Sequence, residues 1–139
     1  MVNKFKKNNI IDKNSSIFIA TFSLYESGKR LTKNGMVEPM ISFFVPKVRS
    51  LLLLDQPHPI SDTINPFIEK YENGKLVKKY RLSAIFYFPI YLYCAMEKTG
   101  LTRISYKLRD LFSTIFIALR QKEKYDLFIG LEAINAIAG

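Results

Sequence analysis

Three short apolar runs that lack polar alternation constrain the fold of this chain most strongly. They cover residues 17–22, 51–54 and 127–129. A strand with apolar side chains on both faces is typical of a parallel sheet that helices cover on both sides. The runs therefore predict an α/β fold in which parallel strands at residues 17–22, 50–54 and 127–129 form the buried centre.

The length and composition of the chain fit a single globular domain. The 139 residues are 48% hydrophobic and 14% aromatic, which is enough to bury a core. Residues 1–16 are polar and basic and are interpreted as a flexible tail, so that the folded domain covers residues 17–139. The 21 basic and 12 acidic residues give a net charge of +9. This charge predicts an anionic partner, and nucleic acid, a phosphorylated ligand and an anionic membrane surface all satisfy that prediction.

Cysteine usage and hydropathy predict a cytoplasmic location. Cys94 is the only cysteine, so no internal disulfide can form, and residues 1–12 contain no apolar segment that resembles a signal peptide. The longest apolar run, at residues 84–96, is shorter than the roughly 20 residues that span a bilayer, and Pro89 interrupts it. No transmembrane helix is expected, while peripheral binding at the inner face of a membrane is compatible with the charge.

Several common catalytic and binding motifs are absent from the sequence. It has no His-Glu-x-x-His, Cys-x-x-Cys or Gly-x-Ser-x-Gly pattern, and no Walker A or Gly-x-Gly-x-x-Gly loop. These absences argue against a zinc hydrolase, a thiol redox protein, a serine hydrolase and a P-loop or dinucleotide-binding protein. We therefore expect neither a metal nor a cofactor. No RNP, KH or helix-turn-helix pattern occurs either, which makes nucleic acid a less favoured partner.

The loops after the three strands are the candidate functional segments, because parallel strands end at one edge of a sheet, where ligand crevices form. The first loop carries Gly28, Lys29 and Arg30, whose charge could hold an anionic group. The alternative is a solvated basic loop. The third loop carries Gly130, which suits a sharp turn from strand to helix, and Glu132. The alternative there is a packing glycine followed by an acid favoured at a helix N-terminus.

The second loop follows Asp55 and contains His58, the only histidine, between two prolines. On such a loop His58 could act as an acid, a base or a hydrogen-bond donor to a ligand. The alternative is an exposed histidine that takes no part in chemistry. Asp55 and Glu132 both follow predicted strands and could form a pair of carboxylates.

A β-hairpin is predicted at residues 65–82, around Asn73 and Gly74, which are the strongest two-residue turn signal. A two-residue loop sets four cross-strand pairs, two of opposite charge and two apolar. These are Glu72 with Lys75, Tyr71 with Leu76, Glu69 with Lys78 and Phe67 with Tyr80. The hairpin is expected to project from the sheet as a basic insertion.

Helices are predicted at residues 39–48, 84–98, 102–124 and 132–138. Residues 102–124 carry an apolar stripe that is expected to pack inward on the sheet. The stripe comprises Ile104, Leu108, Leu111, Ile115, Ala118 and Leu119, widened by Phe112 and Phe116. Basic residues at both helix ends and the tyrosines of residues 84–98 favour a lipid interface, so packing on the sheet and contact with a membrane are compatible.

Three segments together resemble the amino-terminal half-domain of GT-B-type glycosyltransferases of the group 1 kind. They are the basic loop at residues 28–36, the strand end at residues 51–59, and the strand and turn at residues 124–132. The resemblance covers most of the chain and implies a Rossmann-like parallel sheet with a β-hairpin insertion, as an incomplete half of the two-domain architecture. The donor-binding motif of the family belongs to a carboxyl-terminal domain that has no counterpart in this sequence.

The resemblance implies the acceptor-binding part of an enzyme that transfers a sugar from a nucleotide sugar to a membrane-proximal or glycan acceptor. The expected catalytic residues are His58 and Glu132, and the expected acceptor contacts are Gly28, Lys29, Arg30 and Gly130. The expected partners are a nucleotide-sugar donor, bound mainly by the carboxyl-terminal domain, and a glycan or lipid-linked acceptor. This chain alone is expected to be inactive. The alternative is a non-catalytic basic α/β module that binds nucleic acid or an anionic membrane.

Overall fold

The computed structural model describes residues 11–31, 35–83, 85, 102–121 and 124–131. The strands are β1 (Ser16–Ser23), β2 (Tyr25–Glu26), β3 (Lys29–Arg30), β4 (Ser50–Pro57), β5 (Phe67–Glu72), β6 (Lys75–Arg81) and β7 (Leu127–Gly130). Helix α1 (Val37–Phe44) continues into a 3-10 turn at Val45–Lys47, and helix α2 covers Thr102–Arg120. The predicted helices at residues 84–98 and 132–138 lie outside the described residues, apart from residue 85.

A five-stranded sheet forms the centre of the structure, in the order β6-β5-β4-β1-β7. β1 pairs in parallel with both neighbours, so that Ile17 lies opposite Leu51 on one side and Leu127 on the other. The prediction of an α/β fold with three central parallel strands is confirmed. The chain first adds β4 on one side of β1 and later adds β7 on the other side, so the strand order reverses between β1 and β7. Ligand crevices of open α/β sheets lie at such reversal points.

The two faces of the sheet carry separate apolar layers, because successive side chains of a strand point to opposite faces. Ile19 and Leu53 pack with Val37 of α1 on one face. Leu54 packs with Ile117 of α2 on the other face. The two helices therefore cover opposite faces of the sheet, which explains why its central strands are apolar on both sides.

The hairpin prediction is right about the two strands and wrong about their place. β5 pairs antiparallel with β4, and β6 pairs antiparallel with β5, so the hairpin extends the sheet and makes it mixed. Phe67 and Ile68 are buried in this arrangement. The hairpin does not project because β4 would otherwise present an unpaired edge, and because these two side chains would lose their apolar contacts.

The cross-strand register of the hairpin is only half as predicted. Glu72 pairs with Lys75 and Tyr71 with Leu76, but an irregularity between Lys70 and Tyr71 shifts the remaining pairs by one residue. Glu69 therefore lies opposite Lys79, and Phe67 lies opposite Arg81. The predicted Glu69 with Lys78 and Phe67 with Tyr80 pairs were wrong. An extra residue in one strand is the usual signature of a β-bulge.

Several element boundaries differ from the predictions. β4 continues to Pro57, because Asp55 and Gln56 pair with Thr21 and Phe22 of β1. The segment predicted as a plain basic loop contains the small β2–β3 hairpin. Of the predicted tail, residues 11–15 include a turn in which the Asp12 carboxylate accepts a hydrogen bond from the Asn14 amide at 2.8 Å. α1 begins at Val37 and α2 ends at Arg120, so both boundaries moved by a few residues.

The apolar stripe of α2 packs inward only in part: Phe116 and Ala118 pack against the core, as predicted, but four other members face outward. Its exposed members are Ile104, Leu108, Phe112 and Leu119, which are between 39% and 81% exposed. The buried side of the helix is instead mostly polar and contains Ser105, Arg109, Asp110, Ser113 and Thr114. The physical reason is a hydrogen-bonding anchor on the sheet. The side-chain amide of Gln56 donates towards the Asp110 carbonyl at 2.9 Å and lies 3.1 and 3.0 Å from the Ser113 and Thr114 hydroxyls.

Within the part of the chain that the structure describes, no helix is both long enough and apolar enough to cross a membrane.

Candidate functional site

A crevice of about 430 Å³ opens at the carboxyl ends of β1 and β4, on the face of the sheet that α2 covers. It is lined by Phe22, Pro57, His58, Pro59, Ile60, Tyr106, Lys107 and Asp110. These residues come from the end of β1, the end of β4 with its following loop, and the first half of α2. The volume lies in the range of small-molecule sites, and the lining combines apolar walls with three polar side chains, as such sites usually do.

Backbone hydrogen bonds hold the loop after β4 against the end of β1. The His58 amide donates to the Ser23 carbonyl at 2.8 Å, and the Ser61 amide donates to the His58 carbonyl at 2.9 Å. The first of these bonds extends the β1–β4 pairing by one step beyond Pro57. His58 is therefore fixed by its backbone at the carboxyl edge, while its side chain is exposed to the crevice.

Arg109 of α2 holds the same loop by hydrogen bonds to its backbone. Its guanidinium donates to the Pro57 carbonyl at 2.8 Å and to the Ile64 carbonyl at 3.0 Å, which spans both ends of the loop. The side chain is only 1% exposed. A fully buried arginine that binds two backbone carbonyls is a positioning residue for the loop, because it satisfies groups that would otherwise be buried without partners.

Asp110 completes this arrangement and lines the crevice. Its Oδ1 accepts hydrogen bonds from Arg109 Nε at 2.8 Å and from Arg109 Nη2 at 2.5 Å. Burial raises the pKa of the Asp110 carboxyl, and the Arg109 guanidinium, Lys107 and His58 oppose that rise. The crevice therefore contains a buried carboxyl group whose charged form is stabilised by Arg109, Lys107 and His58.

The imidazole of His58 makes one weak contact with its own loop. Its Nδ1 accepts a hydrogen bond from the Ile60 amide at 3.4 Å, and the ring lies 6.3 Å from the Phe22 ring, centroid to centroid. Neutral imidazole carries a single N–H, so an accepting Nδ1 leaves the hydrogen on Nε2. In this state His58 offers a hydrogen-bond donor rather than a base.

Gly28 lies in the turn between β2 and β3 and does not line the crevice. Ser27 has φ 51° and Gly28 has φ +69°, a left-handed conformation that glycine adopts without strain. A Cβ at Gly28 would come within 2.6 Å of Arg81 Nη2. The turn therefore requires Gly28 for its own geometry. Lys29 is exposed beside it.

Arg30 lies at the centre of a buried charge cluster on the α1 face of the sheet. Its guanidinium donates to Asp55 at 2.5 Å, to Glu38 at 3.0 Å and to Glu69 at 3.0 Å. The hydroxyl of Tyr25 donates to the same Asp55 oxygen at 2.6 Å. Burial raises the pKa of Asp55, and the charge of Arg30 opposes that rise.

This cluster and the crevice lie on opposite faces of the sheet, because Asp55 and Gln56 are consecutive residues of one strand. The charge of Arg30 is therefore paired with carboxylates of the protein itself. Its predicted contact with an acceptor stays a prediction.

Gly130 ends β7 at the same edge of the sheet. It pairs with Ala20 of β1, and the Leu131 amide donates to the Ala20 carbonyl at 3.0 Å. β1 continues for three residues past this point, which separates Gly130 from the crevice on the other side of β1. Glu132 lies outside the described residues. The structure therefore places His58 and Gly130 at the carboxyl edge, but only His58 lines the crevice.

The sequence reasoning missed the contribution of α2 to the site. The crevice is lined by Tyr106, Lys107 and Asp110 of α2, and Arg109 holds the loop after β4. The stripe pattern used only the apolar residues of this helix and therefore predicted none of these four. A signal was present in the sequence. Asp110 is the only acid in a helix with several basic residues, and it directly follows Arg109 on the polar side.

Comparisons with protein-family models, with curated proteins and with solved structures found no match to this chain. Among the described residues, no group of three or more His, Cys, Asp or Glu side chains is arranged to hold a metal ion.

Proposed function

We propose that this chain is the acceptor-side domain of a GT-B-type glycosyltransferase of the group 1 kind. In this proposal a glycan or lipid-linked acceptor binds in the crevice, and the nucleotide-sugar donor is held mainly by a carboxyl-terminal domain. The observation that carries the proposal is the position and lining of the crevice. It lies at the carboxyl ends of the parallel strands β1 and β4, the edge at which ligands of open α/β sheets bind, and it combines aromatic walls with His58, Lys107 and Asp110.

The lining suits a sugar better than a purely apolar or a purely charged ligand. A pyranose has C–H faces that pack on aromatic rings, which Phe22 and Tyr106 supply, and hydroxyls that need hydrogen-bond partners. Asp110 accepts such bonds and Lys107 donates them, while His58 donates through Nε2. This division of donors and acceptors supports recognition of a polyol.

In the transfer step, the acceptor hydroxyl oxygen forms a bond to the anomeric carbon of the donor, and the bond from that carbon to the nucleotide phosphate breaks. The hydroxyl proton passes to a base on the protein. His58 takes that role through Nε2 in the tautomer with the hydrogen on Nδ1, which gives up the 3.4 Å contact with the Ile60 amide; in the other tautomer it donates to the hydroxyl and orients it. Glu132 is retained as the second catalytic residue, as the resemblance implies. Gly28, Lys29, Arg30 and Gly130 do not line the crevice, and their contact with an acceptor stays a prediction.

The proposal is tested by mapping sugar binding on the isotopically labelled chain by NMR. The probes are the methyl glycosides of glucose, galactose, mannose and N-acetylglucosamine. We expect amide shift changes from at least one glycoside at Phe22, His58, Ile60 and Lys107, because these residues surround the crevice. His58→Ala should weaken binding without loss of fold, since the side chain is exposed and makes one weak hydrogen bond of 3.4 Å and a ring contact with Phe22.

Lys78→Ala is the matched control, because Lys78 is exposed on β6 and does not line the crevice. It should leave glycoside binding unchanged. The proposal is contradicted when no glycoside shifts the crevice amides at millimolar concentration, or when His58→Ala and Lys78→Ala bind equally. A single-stranded oligonucleotide that instead shifts the basic residues of β6, with affinity that falls steeply with salt, would favour the non-catalytic basic module.

A further inference from the structure

Helix α2 is amphipathic in the reverse sense to most surface helices. Its sheet-facing side is mostly polar, and its outer side carries four exposed apolar side chains, Ile104, Leu108, Phe112 and Leu119. At about 100° per residue, these four fall within a sector of about 80°, and they extend along about 22 Å of helix. They form one continuous surface, which we call the outer α2 face. Isolated exposed apolar residues need no explanation, but an aligned set of this size does.

The helix is held in this orientation by satisfied polar contacts. Gln56 is fully buried and reaches the carbonyl of Asp110 and the hydroxyls of Ser113 and Thr114. Arg109 adds its bonds to Asp110 and to the loop after β4. Rotation of α2 to bury the apolar stripe would move these partners away from Gln56 and leave its buried amide unsatisfied, at the cost of its desolvation. The outward direction of the stripe is therefore a built feature of the fold.

Among the described residues of α2, the exposed charged side chains all have one sign. Asp110 is the only acidic residue of α2, and it is buried in its ion pair with Arg109. The exposed charged side chains described on this helix are Lys107 near one end and Arg120 at the other. An apolar sector flanked by basic residues, without an exposed acid, matches the chemistry of an anionic lipid surface.

We propose that the outer α2 face docks the protein on an anionic lipid bilayer. The four apolar side chains enter the boundary between headgroups and acyl chains, and Lys107 and Arg120 extend towards lipid phosphates. A second copy of the chain is the less suitable occupant. Each copy carries a net charge of +9, so two such surfaces repel each other.

This docking places the crevice beside the membrane surface. Lys107 belongs to the rim of the outer α2 face and also lines the crevice, together with its neighbour Tyr106. A ligand anchored in the bilayer could then reach the crevice without leaving the membrane. The inference concerns where the domain binds and does not rest on the proposed sugar-binding function.

The test is co-sedimentation of the chain with vesicles of phosphatidylcholine that contain about one third phosphatidylglycerol, compared with phosphatidylcholine alone. We expect clear preference for the anionic vesicles, weakened as salt rises from about 0.1 M to about 0.5 M because exposed charges are screened. The double variant Phe112→Gln/Leu119→Gln should lose about tenfold or more of vesicle affinity, since it removes much of the inserted apolar surface. These side chains are 48% and 81% exposed, so the variant should keep the wild-type far-UV circular dichroism.

Leu76→Gln is the matched control, because Leu76 is 51% exposed but lies on β6, away from α2. It should bind vesicles as the wild type does. Equal affinity for neutral and anionic vesicles, or no binding to either, overturns the proposal. So does a double variant that still binds like the wild type. Concentration-dependent dimers that the double variant abolishes, without any vesicle binding by the wild type, would show that a second copy covers this face.

Discussion

Replacement of Arg109 by methionine tests whether one buried side chain both stabilises the domain and holds the crevice. Methionine keeps most of the aliphatic stem but removes the guanidinium that binds Asp110, the Pro57 carbonyl and the Ile64 carbonyl. Asp110 would then be a carboxylate that is only 8% exposed and has lost its ion-pair partner. Both ends of the His58 loop would lose a hydrogen bond at the same time.

The expected loss in the free energy of unfolding is about 3 to 5 kcal/mol, the usual effect of removing one partner of a buried ion pair. Small domains are stable by about 5 to 15 kcal/mol, so the variant should be clearly weakened and remain measurable. Arg109→Lys keeps the charge but lacks the fork that reaches several acceptors, and it should lose less. Arg120→Met is the matched control in the same helix. Arg120 is exposed and stacks on Phe116 at 4.8 Å, so its loss should be about 1 kcal/mol or less.

The pH dependence of this loss has a defined sign. Burial raises the pKa of Asp110 above its unfolded value, so protonation of this carboxyl favours folding, and its contribution to stability falls as pH rises through the folded pKa. The guanidinium opposes the rise, so its removal raises the folded pKa further. The deficit of Arg109→Met relative to wild type should therefore be larger at about pH 7.5 than at about pH 5. Lys107 and His58 also act on Asp110, but both proteins retain them.

Urea unfolding followed by far-UV circular dichroism measures these values, because the chain has no tryptophan for fluorescence. The amide signals of His58 and Ile60 in the folded variant report whether the loop has moved. A loss below about 1 kcal/mol for Arg109→Met, or a loss equal to that of Arg120→Met, would refute the reasoning. So would a deficit that grows as pH falls.

Two further pairs of substitutions test the buried charge cluster around Arg30 and the turn at Gly28. Arg30→Met should lower the free energy of unfolding by about 3 to 5 kcal/mol, because Asp55 and Glu69 are buried, and Lys79→Met should lower it by about 1 kcal/mol or less, because Lys79 is 52% exposed. Equal losses from the two variants would contradict this. Gly28→Ala should cost about 1 to 2 kcal/mol through its φ of +69°. Gly74→Ala, at φ +82° with open space around it, is the control, and a much larger loss at Gly28 would mean that the Arg81 contact dominates.

The central sheet was predictable because its signal is local. The runs at residues 17–22, 50–54 and 127–129 show no polar alternation, and a strand buried on both faces is the simplest structure that explains this. The turn at Asn73 and Gly74 was equally local, since Asn73 adopts φ 49° and Gly74 φ +82° as such a turn requires. Whether the hairpin joins the sheet depends on the unpaired edge of β4, which no local pattern reveals.

The buried charge cluster could not be predicted, because its members are spread over several elements. Arg30 comes from β3, Glu38 from α1, Asp55 from β4 and Glu69 from β5. Each residue looks like an ordinary charged side chain in its own segment. Only the packing of four elements shows that the basic loop at residues 28–30 directs one of its charges inward.

The direction of α2 shows how a periodic pattern can be right about a helix and wrong about its packing. The periodicity of the sequence establishes that one side of the helix is apolar. The usual inference that the apolar side packs on the core holds when the core offers only apolar partners. Here the last three residues of β4 are Asp55, Gln56 and Pro57, and Gln56 offers a buried amide on the α2 face. A buried amide needs partners, which the polar side of α2 supplies through the Asp110 carbonyl and the Ser113 and Thr114 hydroxyls.

Gln56, near the carboxyl end of β4, thus links the orientation of α2, the crevice and the outer α2 face. It selects the polar side of α2, which brings Arg109 and Asp110 to the loop that carries His58. The same orientation of α2 exposes the four residues of the outer α2 face beside the crevice, which Lys107 also lines. A polar crevice next to an exposed apolar face is the arrangement that a ligand with a polar head and an apolar tail requires, because each part then meets a surface of its own polarity. For this reason the vesicle and glycoside experiments should be combined. If the protein binds both anionic vesicles and a methyl glycoside, the variant Phe112→Gln/Leu119→Gln should keep its affinity for the free glycoside. Its affinity for a lipid-linked sugar in vesicles should fall, because the variant binds the membrane more weakly.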